Sequence, residues 1–237
     1  MALGVIIFLS YTIQAMTGFG SIVLAITFGS FFFQIKEILP VLVMLDLFLN
    51  LYIIKKHSSH VEMELLLRKI LPIMFAGAMV GLSIFKSIAA GSKRLLGIVV
   101  TFLALFELLN FYRRKMEKLR PEVVNLFVFG SGVVEGMYAS GGPLLVYVLN
   151  KLDLNKSEFR STLALLWIIM DIILIGAYAF IGILDFSDIV KTLVFLPIIA
   201  LSLYLGEFLH ASVNEEKFRL VVIYVLLIGG VSILTGR

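Results

Sequence analysis

Eight long apolar runs, separated by short polar or charged turns, constrain most strongly what this chain can fold into. They lie at about 2–33, 38–54, 65–88, 93–112, 123–150, 159–183, 188–210 and 217–236. A helix needs about 20 mostly apolar residues to cross the hydrocarbon core of a bilayer. Because 60% of the 237 residues are hydrophobic and only 15% are charged, a water-soluble domain could not bury this much apolar surface. The sequence therefore predicts an all-α polytopic membrane protein without a second, soluble domain.

Glycine-rich breaks interrupt two of these runs. The first run contains QAMTGFGS at residues 14–21, and the fifth contains EGMYASGGP at residues 135–143. Glycine loosens a helix, and proline removes an amide donor and clashes with the preceding turn. An opened backbone at membrane depth is tolerated only where protein or a water-filled cavity surrounds it. Matched breaks in the two halves of a membrane protein point to the binding site of a transporter.

The two halves of the chain also align with each other. At nearly constant shifts of 121 and later 125 residues, the paired positions are Gln14 with Glu135, Gly20 with Gly141, Glu37 with Glu158, Asn50 with Asp171, and Gly81 with Gly206. Such self-similarity indicates an internal duplication. Residues 1–112 then form a first repeat and residues 121–237 a second, joined by the basic loop 113–120 within a single membrane domain.

The distribution of positive charge predicts how the repeats sit in the membrane. If all eight runs cross, eleven of the 20 Lys and Arg residues lie on the N-terminal side. If the two broken runs are re-entrant hairpins, fourteen lie on one side and six on the other. Cytoplasmic loops carry an excess of Lys and Arg, which favours the second arrangement. We therefore predict two inverted repeats, each a broken re-entrant helical hairpin plus three transmembrane helices, with both termini outside. Eight crossings stay open as the alternative.

A half-helix that begins inside the membrane is suited to binding an anion. Its first amides lack intrahelical partners, and its dipole presents positive potential, so it binds a sulfonate or carboxylate without a buried lysine. The predicted substrate-binding residues, some of which add hydroxyl groups to these amides, are Thr17, Gly18, Phe19, Gly20, Ser21, Tyr138, Ser140, Gly141 and Gly142. The alternative is that the glycines only pack helices closely, as Gly77 and Gly81 are expected to do. Trp167, in the middle of the sixth run, either lines the substrate cavity or only packs against neighbouring helices.

Polar residues within the apolar runs are candidates for coupling transport to an ion gradient. Acids at bilayer depth are costly and usually face a bundle interior or an aqueous path. The predicted coupling residues are Asp46, Asn50, Glu135 and Asp171. They could form a proton or cation relay, or their carboxyl groups could simply be hydrogen-bonded between helices. Glu107 and Glu207 lie nearer to helix ends and are expected to reach the membrane interface.

Three segments carry a resemblance to a known family. They are GFGSIVLA at 18–25, GVVEGMYASGGPLLVYVL at 132–149 and KSEFRSTLALLWI at 156–168, which includes an Arg-x-Thr motif at Arg160 and Thr162. These segments resemble the two signature regions of the TauE/SafE family of sulfite exporters, and the likeness extends over essentially the whole chain. The resemblance implies a secondary transporter, in the inner (plasma) membrane of the cell, of small sulfur-containing or carboxylate anions such as sulfite or sulfoacetate. Coupling to protons or another cation is expected.

The histidines do not favour an enzyme. His57, His60 and His210 lie in or beside loops, so no intramembrane Ser–His pair is available, and the zinc-protease motif H-E-x-x-H is absent. His57 and His60 could hold a metal, although a solvated pair is expected. We predict no catalytic activity, cofactor or metal. An anion channel stays open as an alternative, because mid-depth breaks also build filters. An aspartyl intramembrane protease using Asp46 and Asp171 is a remote one.

The predicted partners are a small anionic substrate and the lipid bilayer, with no nucleic acid, and a homodimer is left open. The basic cluster at residues 113–120 has two interpretations. It is an orientation signal that keeps the joining loop cytoplasmic, or it binds anionic lipid headgroups.

Overall fold

The computed structural model describes residues 2–57, 61–87, 93–113, 119–152, 154–210 and 215–236, and within these ranges all regular structure is helical. The first half contains α1 (Ala2–Thr17), α2 (Ser21–Gly29), α3 (Ile35–His57), α4 (Leu71–Ser87) and α5 (Lys93–Arg113). A π-helical stretch, Leu65–Ile70, leads directly into α4. The second half contains α6 (Pro121–Tyr138), α7 (Gly142–Leu149), α8 (Lys156–Phe180), α9 (Phe186–His210) and α10 (Glu215–Thr235).

Both helix breaks lie at the predicted positions. The ends of α1 and α6 are related by a shift of 121 residues, and so are the starts of α2 and α7. The residue that follows each first half-helix has a left-handed backbone, with φ of 87° at Gly18 and 49° at Ala139. Left-handed residues commonly end helices because they let the chain turn away from the axis. The two breaks therefore share one local conformation at their first residue.

Five helical segments are long and apolar enough to cross a membrane. They are α3, the π-helical stretch with α4, α5, α8 and α9. The sixth predicted span, α10, has a shorter described apolar segment, Leu220–Thr235. The capping box expected at the start of α8 is present: the Asn155 side chain accepts from the amides of Ser157 and Glu158, and Glu158 bonds back to the Asn155 amide. The prediction of an all-α multi-pass membrane protein is confirmed.

Helices of the two halves pack against each other. The main contacts are between α4 and α6, between α9 and α1, between α5 and α10, and between α3 and α8. In the sequence repeat α4 corresponds to α9, and α6 corresponds to α1. The contact between α4 and α6 is therefore the repeat equivalent of the contact between α9 and α1, and each joins one helix from each half. This interlocking places the breaks, with α2 and α7, inside the helix bundle, where most of their residues are buried.

Small residues allow the closest helix contact. Gly77 and Gly81 of α4 lie against Gly132 and Gly136 of α6, where an added Cβ would meet backbone of the facing helix at 2.1 to 2.2 Å. Gly206 of α9 also approaches α1 closely, because an added Cβ would lie 2.4 Å from the Ala15 Cβ and 2.9 Å from the Thr12 carbonyl oxygen. Close backbone approach through small residues is typical of helix pairs in membranes. The packing role expected of Gly77 and Gly81 is therefore confirmed.

Candidate functional site

The tips of the two broken segments meet around a small polar cavity. Its volume is about 20 Å³, which leaves room for one or two water molecules if each needs about 10–15 Å³. Of the predicted site residues, the cavity is lined by Phe19, Gly20, Ser140, Gly142, Asp46 and Glu135. Trp167 of α8 also lines it. The structure thus brings residues from both breaks, and two of the predicted coupling acids, to one place.

The other predicted substrate-binding residues lie close to the cavity without lining it. Thr17 lines a neighbouring apolar cavity, and the side-chain position at Gly18 faces Arg160. Tyr138 is buried, with its ring edge-on to Phe85 at a centroid distance of 6.4 Å. Ser21 and Gly141 use their amides within the protein, as described below.

Several amides at the starts of α2 and α7 have no acceptor among the residues that the structure describes. The first helical bond of α2 runs from the Leu24 amide to the Gly20 carbonyl, so the amides of Ile22 and Val23 find no partner among the described residues. In α7 the first helical bond starts at Leu145, and the Gly142 amide is likewise unpartnered there. Ile22, Val23 and Gly142 all line the cavity. Unpartnered amides at helix starts attract negative charge, and both halves bring them to this cavity.

A side chain at the equivalent position of each first half-helix caps the break. Gln14 Oε1 accepts a hydrogen bond from the Ser21 amide at 3.1 Å, and Glu135 Oε2 accepts one from the Gly141 amide at 2.8 Å. The bond to Ser21 fixes the orientation of the Gln14 amide group. Its Nε2 is then left buried and makes no hydrogen bond with the described residues, although it faces the Asp46 carboxyl. Because Gln14 lines the cavity, this donor is available there.

Gln14 lines the candidate site, and the sequence-based prediction did not include it. It was recognised only as the repeat partner of Glu135. Its place as the first polar residue of the first break was the signal that could have identified it.

Three of the four predicted coupling residues, Asp46, Asn50 and Asp171, form one polar chain. The Ser21 hydroxyl donates to Asp46 Oδ1 at 2.8 Å, and Asn50 Nδ2 donates to Asp46 Oδ2 at 2.7 Å. The Asn50 side chain also lies next to the Asp171 carboxyl, without a hydrogen bond between them. Asn50 Oδ1 and Asp171 Oδ2 are both buried without a partner in the described protein. A buried polar atom without a hydrogen bond is costly, so one proton carried by Asp171 would satisfy both oxygens.

Charged residues gather where α3 and α9 end and α8 begins. Arg160 donates to the Ala15 carbonyl at 2.9 Å, near the negative end of the α1 dipole, which a cation stabilises. Lys56 and Glu207 form an ion pair at 2.9 Å. Glu207 remains partly exposed, as expected for an interfacial acid. Glu107 does not match that expectation, because only 6% of it is exposed: the sequence gives its distance from the helix end but not the helices that cover it.

Two hypotheses concern residues outside the described part of the chain. The metal pair is one, because His60 and the His57 side chain are not described. The basic cluster is the other, since of its side chains only those of residues 119 and 120 are described. Among the described residues, no group of three or more His, Asp or Glu side chains could hold a metal ion.

Comparison with protein families gives a match over nearly the whole chain. Residues 3–233 match the family TauE, described as "Sulfite exporter TauE/SafE". The matched region contains both breaks and the polar chain between them. Comparisons with curated proteins and with solved structures gave no match.

Proposed function

Because the chain belongs to the TauE/SafE family of sulfite exporters, we propose that it is a secondary transporter of small sulfur-containing or carboxylate anions in the plasma membrane. The observation that carries this proposal is the meeting of two half-helix starts, with unpartnered amides, at one cavity. The Nε2 of Gln14, which makes no hydrogen bond with the described residues, adds a donor to the same cavity. An anion bound there receives donors from both halves of the protein and needs no cationic side chain.

Two carboxyl groups in the same cavity suggest how transport is coupled to protons. Asp46 and Glu135 both line it. Two like charges about 4 Å apart repel each other by about 4 kcal/mol at an effective dielectric constant near 20. An anion therefore binds best when a cavity carboxyl carries a proton. Proton and anion then enter the cavity together, which is the requirement for symport.

The hydrogen bonds suggest different roles for the three buried acids. Ser21 and Asn50 both donate to Asp46, an arrangement that suits an ionised carboxylate. Glu135 accepts only one hydrogen bond, from the Gly141 amide, and it lines the cavity. It can therefore hold the proton that accompanies the anion. Asp171 carries a further proton, and Asn50 connects it to Asp46. This chain is the proposed relay, and it does not resemble an aspartyl protease, in which two carboxyls share one proton directly.

We propose that the second broken segment is a re-entrant hairpin. The Lys56–Glu207 ion pair holds the C-terminal ends of α3 and α9 on one membrane face. If α4 and α5 cross and return, α6 begins on that same face. If α8 and α9 also cross and return, α8 begins on the face with the Lys56–Glu207 pair. The hydrogen bond from the Glu62 amide to Thr162 Oγ1 at 3.0 Å supports this placement. The segment α6–α7 then enters and leaves the membrane on one side.

The first broken segment enters from the opposite face in the proposed arrangement. Helix α1 runs along α9 in the same direction, since Gly4 lies beside Ile198 and Ala15 lies beside Gly206. The start of α1 therefore lies at the start of α9, which is the face opposite the Lys56–Glu207 pair. Two hairpins that enter from opposite faces make the repeats inverted.

Tags at both termini should report the outer face, and a tag in the loop 113–120 should report the cytoplasm. The reason is that each re-entrant hairpin returns to its own side and leaves three crossings in each repeat. Accessibility of single introduced cysteines to an impermeant reagent in intact cells and in inverted vesicles measures this. Termini on the cytoplasmic face would contradict the inverted arrangement.

The proposed function is tested by anion binding as a function of pH. We expect the purified protein to bind sulfite, thiosulfate or a small sulfonate more weakly as the pH rises, because ionised Glu135 repels the anion. In Glu135→Gln the side chain can still accept a hydrogen bond from the Gly141 amide, but it stays neutral at every pH. Anion binding should therefore persist at high pH. Isothermal titration with each anion measures both. A protein that binds none of these anions or simple carboxylates at any pH would contradict the proposal, and flux without substrate counterflow would favour a channel.

Replacing Gln14 by alanine should weaken anion binding by at least about tenfold. The variant removes the free Nε2 donor, and one hydrogen bond to a charged group contributes about 1.5–3 kcal/mol. Gln34→Ala, at an exposed position between α2 and α3, is the matched control. Equal affinity in the two variants would show that Gln14 only caps the break.

A further inference from the structure

A second cavity lies next to the polar one. Its volume is about 40 Å³, twice that of the polar cavity. It lies among α1, α2, α5 and α10, and its apolar walls include Ile13, Leu103, Ala104, Ile223 and Leu226. Polar atoms contribute little to this wall. The cavity is therefore suited to hydrocarbon and not to water or an anion.

The two cavities share one wall. Four residues line both of them: Phe19, Gly20, Val23 and Pro143. The unpartnered amide of Val23 thus belongs to a residue that borders both spaces. The Phe19 side chain also lies 3.5 Å from the Cβ position at Gly142. A group attached to an anion at the half-helix starts would meet this wall, and rotation of the Phe19 ring would open the apolar cavity to it.

We propose that the transported anion carries a short apolar tail and that the second cavity receives this tail when Phe19 turns aside. The proposal rests on the proposed function, which places the anionic head at the starts of α2 and α7. A volume of about 40 Å³ holds about three water-sized groups, so the tail contains about three carbon atoms. Apart from Thr17 and Glu107, the wall of this cavity is apolar, so the tail is apolar along its length.

The test is a chain-length series measured on the purified full-length protein. Methane-, ethane-, propane-, butane- and hexanesulfonate are titrated beside sulfite. Each methylene that enters the cavity should tighten binding by about fourfold. We expect affinity to rise up to propane- or butanesulfonate and then to fall, because a cavity of about 40 Å³ limits the length of the tail.

Variants locate the tail. Ala104→Leu fills the second cavity and should flatten the chain-length dependence, with little effect on sulfite. Leu105→Phe adds bulk to the exposed side of the same helix, where Leu105 is 45% exposed, and should leave the series unchanged. Phe19→Ala removes the wall and should shift the optimum to a longer chain. If Ala104→Leu does not fold, Leu103→Phe, on another part of the wall, serves the same purpose.

The outcomes separate this inference from the proposed function. If all the sulfonates bound the wild type with equal affinity, the proposal of a tail in the second cavity would be wrong, and the proposed anion site would stand. Affinity that rises through hexanesulfonate without an optimum, or a series unaffected by the filling variants, would place the tail in lipid and also overturn it. Failure of every anion to bind, sulfite included, would overturn the proposed function itself.

Discussion

Gly142→Val is expected to abolish anion binding while the protein stays folded. A Cβ at this position would lie 3.5 Å from Phe19 and 3.8 Å from the Trp167 ring, which is ordinary contact, so the first carbon fits. The two methyl groups of valine would then enter a cavity of only about 20 Å³. We expect Kd to rise by at least about 100-fold, or about 2.7 kcal/mol, in isothermal titration with a bound sulfonate or sulfite.

Neighbouring variants serve as controls for this result. A Cβ at Gly141 would lie 2.3 Å from the Ser131 carbonyl oxygen, so Gly141→Val should lose folding before it tests binding. Ser140→Ala removes a hydroxyl that donates to the Tyr138 carbonyl. It should weaken anion binding by only about 0.5–1.5 kcal/mol. Gly20 has open space around its Cβ position but a φ of +97°, which strains any side chain. A monodisperse Gly142→Val protein with normal anion affinity would show that the breaks are packing features and that the substrate lies elsewhere.

The positions of the helix breaks could be predicted because their cause is local. Glycine and proline weaken a helix wherever they occur in it, and the repeat placed the two breaks at one constant shift. The class of fold followed from apolar length, which a membrane span requires regardless of its neighbours. The capping box at Asn155 is also local, since both partners lie within one turn.

Tertiary contacts decided what the sequence could not. Gly141 and Gly142 are adjacent glycines that look equivalent in the sequence. In the structure Gly141 packs on Ser131, whereas Gly142 lines the cavity. Gln14 and Glu107 could not be placed either, because helices that are apolar on all sides carry no stripe that marks their buried face. Which acceptor a buried side chain finds, as Gln14 finds the Ser21 amide, depends on how the chain folds back at the break.

Proton-driven transport should be lost in Asp171→Asn, although the variant should fold and bind the anion. An asparagine amide at this position can still donate to the free Oδ1 of Asn50, as a protonated Asp171 would, but it cannot release a proton. In Asp46→Asn the Ser21 hydroxyl can turn to accept from the new amide, so the local hydrogen bonds also survive. In proteoliposomes with an imposed pH gradient, we expect both variants to show no gradient-driven uptake.

Exchange distinguishes a lost relay from a lost transporter. Exchange of labelled for unlabelled substrate moves no net proton, so it should continue in Asp171→Asn and Asp46→Asn at a rate near that of the wild type. Glu64→Gln removes a carboxylate from an exposed ion pair with Arg68 and should leave both driven uptake and exchange unchanged. Asn50→Ala should resemble the acid variants, because Asn50 connects Asp46 to Asp171. If gradient-driven uptake with its normal pH dependence persisted in both acid variants, these carboxyls would serve only as hydrogen-bonding groups between helices, and the proton would have to travel by another path.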